Sequence, residues 1–375
     1  LVGLFEVSDP GEALGNTITA REILDKGAEK IENELGDQPE VQATLMNTMG
    51  EVYRRLGLYD KAELLCENAL IIRRQIFGNK HLEVASSLDQ LGILHSRKLN
   101  IELSDSLWRE ALEIYRELLG KENPYVAEML TSLAINLYEK GDYTEAESLQ
   151  RESLEMQGWT LTDKEDADLF STSLGNLARC LQKKGDYEEA EQLYRKSLEI
   201  IREFMGEEHP FATNTLVYLG RILELKGDFK SAEGLYIEAI TKFRKVLGND
   251  HPWLAGSLGH LASLLYRKGN YSEAEELYRE ALKIRQKSLP ADDWRTAISK
   301  YQLGRCLSSL KRYQDAEPLL LESYKILKAQ KGENDYYTMV PLNFIIELYQ
   351  AWDKPEKVAE YKALLPDTTA VSETQ

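Results

Sequence analysis

The sequence predicts an all-α protein, a right-handed α-solenoid of about eight stacked helix hairpins. Two repeated columns and one general constraint predict this fold. A small residue recurs inside helix-like runs at intervals of 42 residues, with a single interval of 44, and a turn residue follows each one seven positions later. A single hairpin cannot bury its own apolar face. Hairpins that repeat at a fixed period therefore stack around one continuous interior.

The first column lies in the first helix of each hairpin. A small side chain there lets the partner helix come close. The column contains Gly50, Gly92, Ala134, Ala178, Gly220, Ala262 and Gly304, with Ile346 as a weak eighth member. Two more columns of small residues, which begin at Ala62 and Ala69, run seven residues apart in the second helix. Seven residues are about two helical turns, so both columns lie on one stripe against which the next hairpin docks.

The turn column separates the two helices of each hairpin. It contains Gly57, Leu99, Gly141, Gly185, Gly227, Gly269, Lys311 and Asp353. Glycine adopts the left-handed conformation of a helix end without a steric cost. The second repeat lacks this glycine, and because Asn tolerates the same conformation, we expect a turn shifted by one residue to Asn100. A large side chain two residues after the turn, such as Tyr143, is expected to fill the wedge between the helices.

The ends of the chain depart from the repeat. We expect an N-terminal arm over residues 1–16 and a capping helix over 17–36, which begins with the capping box Thr19 and Glu22. The solenoid is predicted over residues 38–365, with a degenerate last hairpin as the closing cap. Residues 366–375 are polar and are predicted to form a disordered tail. Because the chain opens with Leu rather than Met, we expect it to be a fragment or a processed product.

The interval of 44 residues adds two residues near "QGWTLTDKED". A longer surface loop is the simplest interpretation, since loops tolerate insertions. Two alternatives stay open, which are a bend in the solenoid and a contact loop that displays Trp159.

Composition excludes several classes of function. The formal net charge is −17, which argues against nucleic acid and anionic membranes as partners. No run of about 20 apolar residues is present, so we expect no membrane insertion. Cys66, Cys180 and Cys306 are far apart in the sequence and form neither a disulfide framework nor a zinc-binding spacing. They are expected to be buried thiols of the core rather than reactive ones.

The sequence contains no recognisable catalytic or metal-binding motif. A phosphate-binding loop, a nucleophile elbow and the HExxH zinc motif are all missing, so we expect no enzyme activity, no cofactor and no metal. Three of the five histidines, His81, His209 and His251, occupy the same position in the links between hairpins. Because they recur one or more repeats apart, they cannot share a metal ion, and helix capping is the expected role.

These columns resemble the tetratricopeptide repeat. The segment "LASLLYRKGNYSEAEELYREALKI" (Leu261–Ile284) is close to a consensus copy. The usual repeat has 34 residues, and the eight additional residues here fall between hairpins, in stretches such as "FMGEEHPFA". This 42-residue form resembles the repeats of kinesin light chain over roughly residues 38–366. Because kinesin light chain binds acidic cargo peptides in its groove, the resemblance implies a protein or peptide partner.

A second resemblance involves the ends of the chain. Residues 5–57 and the segment "LYQAWDKPEKVAEYKALL" (Leu348–Leu365) are similar to the start and close of the repeat region in bacterial eukaryotic-like serine/threonine protein kinases. In that family the repeats follow a kinase domain and a membrane segment. The resemblance implies a regulatory or sensor tail, although this chain has neither an HRD nor a DFG motif. We expect a cytoplasmic protein, or an extracytoplasmic one if it is such a tail.

The binding surface is expected on the first helices, whose polar positions line the inner side of a solenoid. The residue after each small residue should face this groove: Glu51, Ile93, Ile135, Arg179, Arg221, Ser263, Arg305 and Glu347. Further groove candidates are Asn136, Asn176, Asn214, Tyr218, His260, Arg267 and Lys183. Tyr138 and Tyr266 are candidates for aromatic contacts.

The leading hypothesis is a non-catalytic scaffold or adaptor whose groove binds an extended peptide with Asp, Glu or phosphate groups. Arginine binds carboxylates and phosphates through two parallel hydrogen bonds, which suits this ligand. The competing interpretation is that these arginines pair with carboxylates of neighbouring repeats. A kinase tail and a self-assembling structural solenoid are the alternative functions.

Overall fold

A computed structural model describes residues 20–157 and 163–366, and within these ranges the chain forms 17 α-helices and no strand. The helices are α1 Ala20–Glu34, α2 Pro39–Arg55, α3 Tyr59–Phe77, α4 Leu82–Arg97, α5 Ile101–Leu119, α6 Pro124–Lys140, α7 Tyr143–Gln157, α8 Lys164–Lys184, α9 Tyr187–Met205, α10 Pro210–Leu225, α11 Phe229–Leu247, α12 Pro252–Arg267, α13 Tyr271–Ser288, α14 Trp294–Ser309, α15 Tyr313–Lys331, α16 Tyr336–Ala351 and α17 Pro355–Lys362. The predicted all-α fold is confirmed.

Four sequence predictions lie outside the described residues. They concern the arm over residues 1–16, the capping box at Thr19, the loop that contains Trp159, and the tail after Pro366.

The chain divides into two compact units, Leu1–Asp186 and Tyr187–Gln375. In the first unit α1 precedes three hairpins, α2–α3, α4–α5 and α6–α7, and α8 closes the unit. In the second unit α9 precedes four hairpins, α10–α11, α12–α13, α14–α15 and α16–α17. Within each unit, the second helix of one hairpin also packs on the first helix of the next. This is the stacking that the 42-residue period predicts.

The small columns lie where the helices approach each other most closely. A Cβ atom added to Gly220 would lie 2.8 Å from Cε1 of Tyr236, and one added to Gly304 would lie 2.8 Å from Cγ of Leu320. The two columns of small residues on the second helix are also closely packed, since Ala62 and Ala69 are completely buried. Larger residues at these positions would separate the helices and lose close packing across the whole hairpin.

The turn column has the left-handed backbone conformation even where it lacks glycine. Leu99, Lys311 and Asp353 have φ values of 63°, 61° and 56°. The predicted shift of the second turn to Asn100 is therefore wrong, because Asn100 has φ −85° and precedes α5. Its backbone N–H donates to the His95 carbonyl at 2.8 Å, as the Asp228 N–H does to Leu223. This closing hydrogen bond fixes the turn at Leu99 whatever its side chain.

The link histidines cap the helices that follow them. Nδ1 of His81 accepts a hydrogen bond from the backbone N–H of Glu83 at 3.2 Å. His209 and His251 do the same for Phe211 and Trp253, at 3.4 and 3.2 Å. An imidazole nitrogen thus satisfies one of the free N–H groups at each helix start, as the sequence predicts.

Ion pairs connect neighbouring hairpins along the surface of each unit. Arg74 pairs with Glu110 at 2.6 Å and Arg244 with Glu280 at 2.8 Å, in both cases between successive second helices. Similar pairs join residues near the turns, for example Lys268 and Glu233 at 2.7 Å. Each exposed pair contributes at most about 1 kcal/mol, so these pairs add little to stability individually.

Helix α1 packs against the first hairpin. Asp25 on α1 accepts a hydrogen bond from the Tyr53 hydroxyl at 2.7 Å and pairs with Lys61 at 2.6 Å. Gln42 donates to the carbonyl of Ile31 at 3.0 Å, and the Ile31 side chain is buried. These contacts cover the N-terminal side of α2, the position expected for a capping helix.

The turn at Leu99 offers a test of the fold. Leu99 is 70% exposed, so its side chain contributes little packing, yet its left-handed backbone is unfavourable for an L-residue. We expect Leu99→Gly to stabilise the protein by about 1 kcal/mol and to raise the midpoint of urea unfolding. Gly227→Leu is the matched control at an equivalent turn and should lower the midpoint. A lower midpoint for Leu99→Gly would contradict the account of this turn.

Candidate functional site

The candidate surface is the row of residues that follow the small column on the first helices, together with their exposed neighbours; we call it the groove face. None of the eight row residues is buried. In the first unit the row consists of Glu51, Ile93, Ile135 and Arg179, and in the second of Arg221, Ser263, Arg305 and Glu347.

In the first unit, Arg179 lies over the ring of Tyr138. Its guanidinium carbon is 4.3 Å from the ring centroid, and Nη2 is 3.8 Å from Oε1 of Glu139. Asn176, one turn before Arg179, lines a small cavity together with Tyr138 and Gln150. Lys183, one turn after Arg179, is exposed, and its Nζ lies 5.9 Å from the Tyr143 ring centroid. Asn176, Arg179 and Lys183 therefore share one face of α8.

Asn136 does not belong to this surface. Its side chain is completely buried, and Nδ2 donates to Oγ of Ser104 at 2.5 Å while Oδ1 accepts from Oγ of Ser96 at 3.4 Å. The prediction placed Asn136 on the groove face, and the structure corrects it. Asn136 follows the row residue Ile135 by one position on α6, so its side chain faces the interior. There it makes hydrogen bonds with buried polar groups.

The groove face of the second unit begins with two stacked pairs of rings. Tyr218 lies on Tyr194 with centroids 5.5 Å apart, and His260 lies on Tyr236 at 5.6 Å. Burial, with the positive charges of Arg221 and Arg285, lowers the pKa of His260 to about 3, so its imidazole is neutral at physiological pH. Asn214 lies half-buried one turn before Tyr218 on α10. The second unit therefore brings Tyr218, Arg221 and His260 together.

Arg305 lies between two aromatic rings on α12 and α16. Its guanidinium carbon is 4.1 Å from the centroid of Tyr266 and 5.0 Å from that of Phe344, and its buried Nε has no hydrogen-bond partner. Cation–π contacts hold the guanidinium in place through its charge and do not themselves engage its N–H donors.

Arg267 has a different role from Arg221 and Arg305. Its Nη1 pairs with Oε1 of Glu224 at 2.7 Å, and its guanidinium carbon lies 4.9 Å from the centroid of Phe229. Although Arg267 is exposed, it braces two successive hairpins.

The competing interpretation of paired arginines therefore holds for only part of the groove face. Arg179 and Arg267 have carboxylate partners, at 3.8 and 2.7 Å. Among arginines whose side chains the structure describes, those without a carboxylate within ion-pair distance are Arg97, Arg221, Arg285 and Arg305. Both Arg221 and Arg305 belong to the predicted site.

Arg285 was missed by the sequence reasoning, which considered only first helices. Its Nη1 donates to the Arg295 carbonyl at 3.0 Å and to Oγ of Ser299 at 2.5 Å, and burial lowers its pKa to about 10. The equivalent arginine in the first repeat, Arg73, pairs with Glu83 at 2.6 Å. In the later repeat, Arg295 stands where the first repeat has Glu83. Comparison of these two positions in the sequence would have shown that Arg285 lacks the carboxylate partner that Arg73 has.

The three cysteines are buried in the cores of their hairpins. Burial raises the pKa of each thiol to about 11, so almost no thiolate exists at neutral pH. The expectation of core thiols rather than reactive ones agrees with this environment.

The groove face of the first unit contains an acidic pair. Burial is the largest cause that raises the pKa of Asp89 to about 7, and the charge of Glu128 adds to it, while the hydrogen bond from Nε1 of Trp108 at 2.9 Å opposes the shift. Burial also raises the pKa of Glu128. Both carboxyls therefore hold their protons more tightly than ordinary surface carboxyls do.

Within the described ranges, no cluster of three or more His, Cys, Asp or Glu side chains has metal-binding geometry. Over the same residues, no helix is long and apolar enough to cross a bilayer.

Helix hairpins of similar length that stack in register, with a row of solvent-accessible first-helix side chains, define the class of helical-repeat proteins. Models of the tetratricopeptide repeat match residues 40–103, 97–157, 169–245 and 212–287, and a further one matches residues 260–332. The chain belongs to the tetratricopeptide repeat family. No curated protein matches it.

Similar solved structures include other proteins with this fold. BtubC (BKLC) from P. vanneervenii is 24% identical, with 62% of this chain and 92% of that chain covered and a TM-score of 0.51. The apo form of RapI is 19% identical, with 75% and 94% covered and a TM-score of 0.55. Aspartyl phosphate phosphatase F from Bacillus subtilis is 13% identical, with 92% and 86% covered and a TM-score of 0.60.

A putative kinesin light chain from Podosopora anserina is 26% identical, with 56% of this chain and 99% of that chain covered and a TM-score of 0.44. At these identities the likeness shows the fold alone. The predicted resemblance to the tail of a kinase stays a prediction.

The half-buried carboxyl of Asp89 gives a prediction about pH. A carboxyl whose folded-state pKa exceeds its unfolded value of 3.8 binds its proton more tightly when folded. Acidification from pH 7 towards pH 4 should therefore stabilise the protein through this group. Asp89→Asn keeps an acceptor for Trp108 and should raise stability at pH 8 by about 1–2 kcal/mol. Urea unfolding at pH 8 and pH 5 measures this, and an equal gain at both values would exclude Asp89 as the source.

Proposed function

We propose that this chain is a non-catalytic interaction scaffold that binds an extended peptide with acidic or phosphorylated side chains on its groove face. The observation that carries the proposal is that Arg221 and Arg305 on the groove face have no carboxylate partner within residues 20–157 and 163–366. The fold supports the general role, because tetratricopeptide repeats present rows of exposed first-helix side chains. The anionic character of the ligand is the more specific part of the proposal.

The attraction between the groove-face arginines and an anionic peptide acts over a short distance. The whole chain has a net charge of −17, which would repel an acidic ligand at long range. At physiological ionic strength, charges are screened beyond about 8 Å, so the nearest side chains decide the interaction. A carboxylate that meets an unpaired arginine displaces no internal partner. Each such charged hydrogen bond is worth about 1.5–3 kcal/mol.

Aromatic side chains support the same location. Tyr218 is 37% exposed beside Arg221, and Phe344 is half-buried beside Arg305. Rings next to cations can contact the apolar parts of a peptide while the arginines bind its charged groups, as at many binding hot spots. Neutral His260 adds a hydrogen-bonding group without a repulsive charge.

Two alternative functions can each be tested separately. The similarity of residues 5–57 and Leu348–Leu365 to kinase repeat regions favours a regulatory tail, and the coding sequence upstream of Leu1 tests it. A self-assembling solenoid would form oligomers that grow with concentration, and light scattering after size-exclusion chromatography measures their mass.

The charge reversal Arg221→Glu tests the proposed function. Against an array of 12-residue peptides with Asp and Glu, with phosphoserine, or with neutral residues, the wild type should prefer anionic sequences. Arg221→Glu should weaken binding of these sequences about 10- to 100-fold, because an attractive charge becomes a repulsive one. Lys230→Glu is the matched control, since Lys230 is exposed and unpaired on the second helix α11. Equal binding by wild type and Arg221→Glu would remove the proposal.

A further inference from the structure

We propose that Arg285 of the second unit forms a binding site for the carboxylate of an Asp or Glu side chain that a ligand supplies. Arg285 lies on the second helix α13, outside the row of first-helix residues that defines the groove face. If the ligand is the peptide of the groove face, the site adds one contact to it, and this part of the inference rests on the proposed function.

The first unit shows how the equivalent arginine behaves when it has an anion. Nη1 of Arg73 donates to the Glu83 carbonyl at 3.0 Å and to Oγ of Ser87 at 2.8 Å. Nη2 of Arg73 pairs with Oε2 of Glu83 at 2.6 Å. The Glu83 side chain is 46% exposed, so its carboxylate occupies a place that solvent can reach. One nitrogen of the guanidinium is thus anchored to the next helix, and the other holds a carboxylate.

The second unit repeats the anchor without the anion. Nη1 of Arg285 donates to the Arg295 carbonyl and to Oγ of Ser299, which are the same two acceptors in the later repeat. Within the described residues, no carboxylate lies within ion-pair distance of Arg285, and no acceptor binds its Nε or Nη2. Neither atom is sealed from solvent. The donors that hold Glu83 in the first unit therefore remain accessible to a ligand here.

The side chain of Arg295 does not fill the place that Glu83 fills in the first unit. Its Nε and Nη2 bind Asp293 at 2.9 and 2.7 Å, and its guanidinium carbon lies 5.9 Å from the ring centroid of Trp294. Both carboxylate oxygens of Asp293 are engaged by Arg295, so Asp293 offers no direct contact to Arg285. The place beside Nη2 of Arg285 is left open.

The charge of Arg285 favours an anionic ligand. Burial is the largest cause that lowers the pKa of Arg285 to about 10, the charge of Arg295 lowers it further, and Asp293 opposes the shift. Arg285 is still protonated at neutral pH. A half-buried cation without a contacting anion is unfavourable, and an incoming carboxylate would offset this cost.

A carboxylate fits the site better than a phosphate does. Adjacent N–H groups of a guanidinium match the two oxygens of a planar carboxylate, as the pairing of Arg73 with Glu83 illustrates. A phosphate group carries nearly two negative charges at neutral pH. The nearby carboxylate of Asp293 therefore repels a phosphate more strongly than it repels a carboxylate.

The site lies beside the groove face of the second unit. The positive charge of Arg285 contributes to the lowered pKa of His260, and Tyr301 acts on the pKa of Arg285, so both first-helix side chains are near its guanidinium. The Tyr301 ring lies 5.9 Å from that of Phe344, which in turn contacts Arg305. A peptide on the groove face could therefore place one acidic residue at Arg285 and another at Arg305.

The decisive variant is Arg295→Glu, which supplies from within the chain the carboxylate that Glu83 supplies in the first unit. Arg295→Gln is the first control, because it removes the same cation but adds no carboxylate. Lys283→Glu is the second control and repeats the charge change on α13. Lys283 is exposed, two positions from Arg285 and so on another side of the helix, and has no ion pair within the described residues.

The probe is acetate, added in exchange for chloride at constant ionic strength. The side-chain Nε–Hε signal of Arg285 in ¹H–¹⁵N spectra reports binding, and its loss in Arg285→Lys assigns it. Acetate should shift this signal saturably in the wild type and in both controls, with a half-maximum at roughly 10–100 mM. In Arg295→Glu the half-maximum should rise at least tenfold, because the internal carboxylate occupies the site.

Three results would overturn the proposal. They are an unsaturable response of the wild type, an undiminished response of Arg295→Glu, and a half-maximum for inorganic phosphate at least tenfold below that for acetate. Because the wild type alone can fail the acetate titration, the test does not depend on the folding of a variant.

The peptide array separates this site from the proposed function. Saturable acetate binding at Arg285 without any preference for anionic peptides would support the site and remove the proposed function. Peptide binding that depends on Arg221, together with no acetate response, would keep that function and overturn the site. If both proposals hold, Arg295→Glu should weaken binding of peptides with Asp and Glu about tenfold, and Arg295→Gln less than about threefold.

Discussion

The close contact between the small residue of each first helix and the side chain opposite it on the second helix sets the geometry of every hairpin. Gly220 beneath Tyr236 and Gly304 beneath Leu320 leave no space for even a Cβ atom. Since the helices are fixed at this distance, the turns, link histidines and surface ion pairs all recur in register. The groove face lies beside this contact, because each row residue directly follows the small residue on its first helix.

The fold could be predicted from the sequence because packing at this contact favours a small residue on the first helix. Small residues recur at this position about every 42 residues. The turn at Leu99 could not be located from residue preference. Its place is determined by the backbone hydrogen bond from the Asn100 N–H to the His95 carbonyl, which does not involve the side chain of residue 99. Asn136 and Asn176 show a similar limit, since both are asparagines of a first helix, yet their angular positions bury the first and leave the second half-exposed.

The sequence predicted most of the residues that belong to the candidate site, but not which of its cations have carboxylate partners. Four arginines and one lysine were assigned to the groove face by position alone, but the availability of each cation depends on neighbours from other repeats. Glu139 and Glu224 engage Arg179 and Arg267, while none of the carboxylates that the structure describes reaches Arg221 or Arg305. Arg285 escaped prediction because it lies on a second helix. Comparison of each column across all repeats, rather than along one helix, would have revealed it.

The left-handed turns without glycine are not evenly distributed along the chain. Two of the three, at Lys311 and Asp353, belong to the last two hairpins, and the final helix α17 buries none of its residues. Stability in repeat arrays is a sum of local contributions from each repeat and its neighbours. The second unit therefore has a built-in direction of fraying, in which amide protons near the C-terminus exchange first and a pulling force applied there would unravel the array one hairpin at a time.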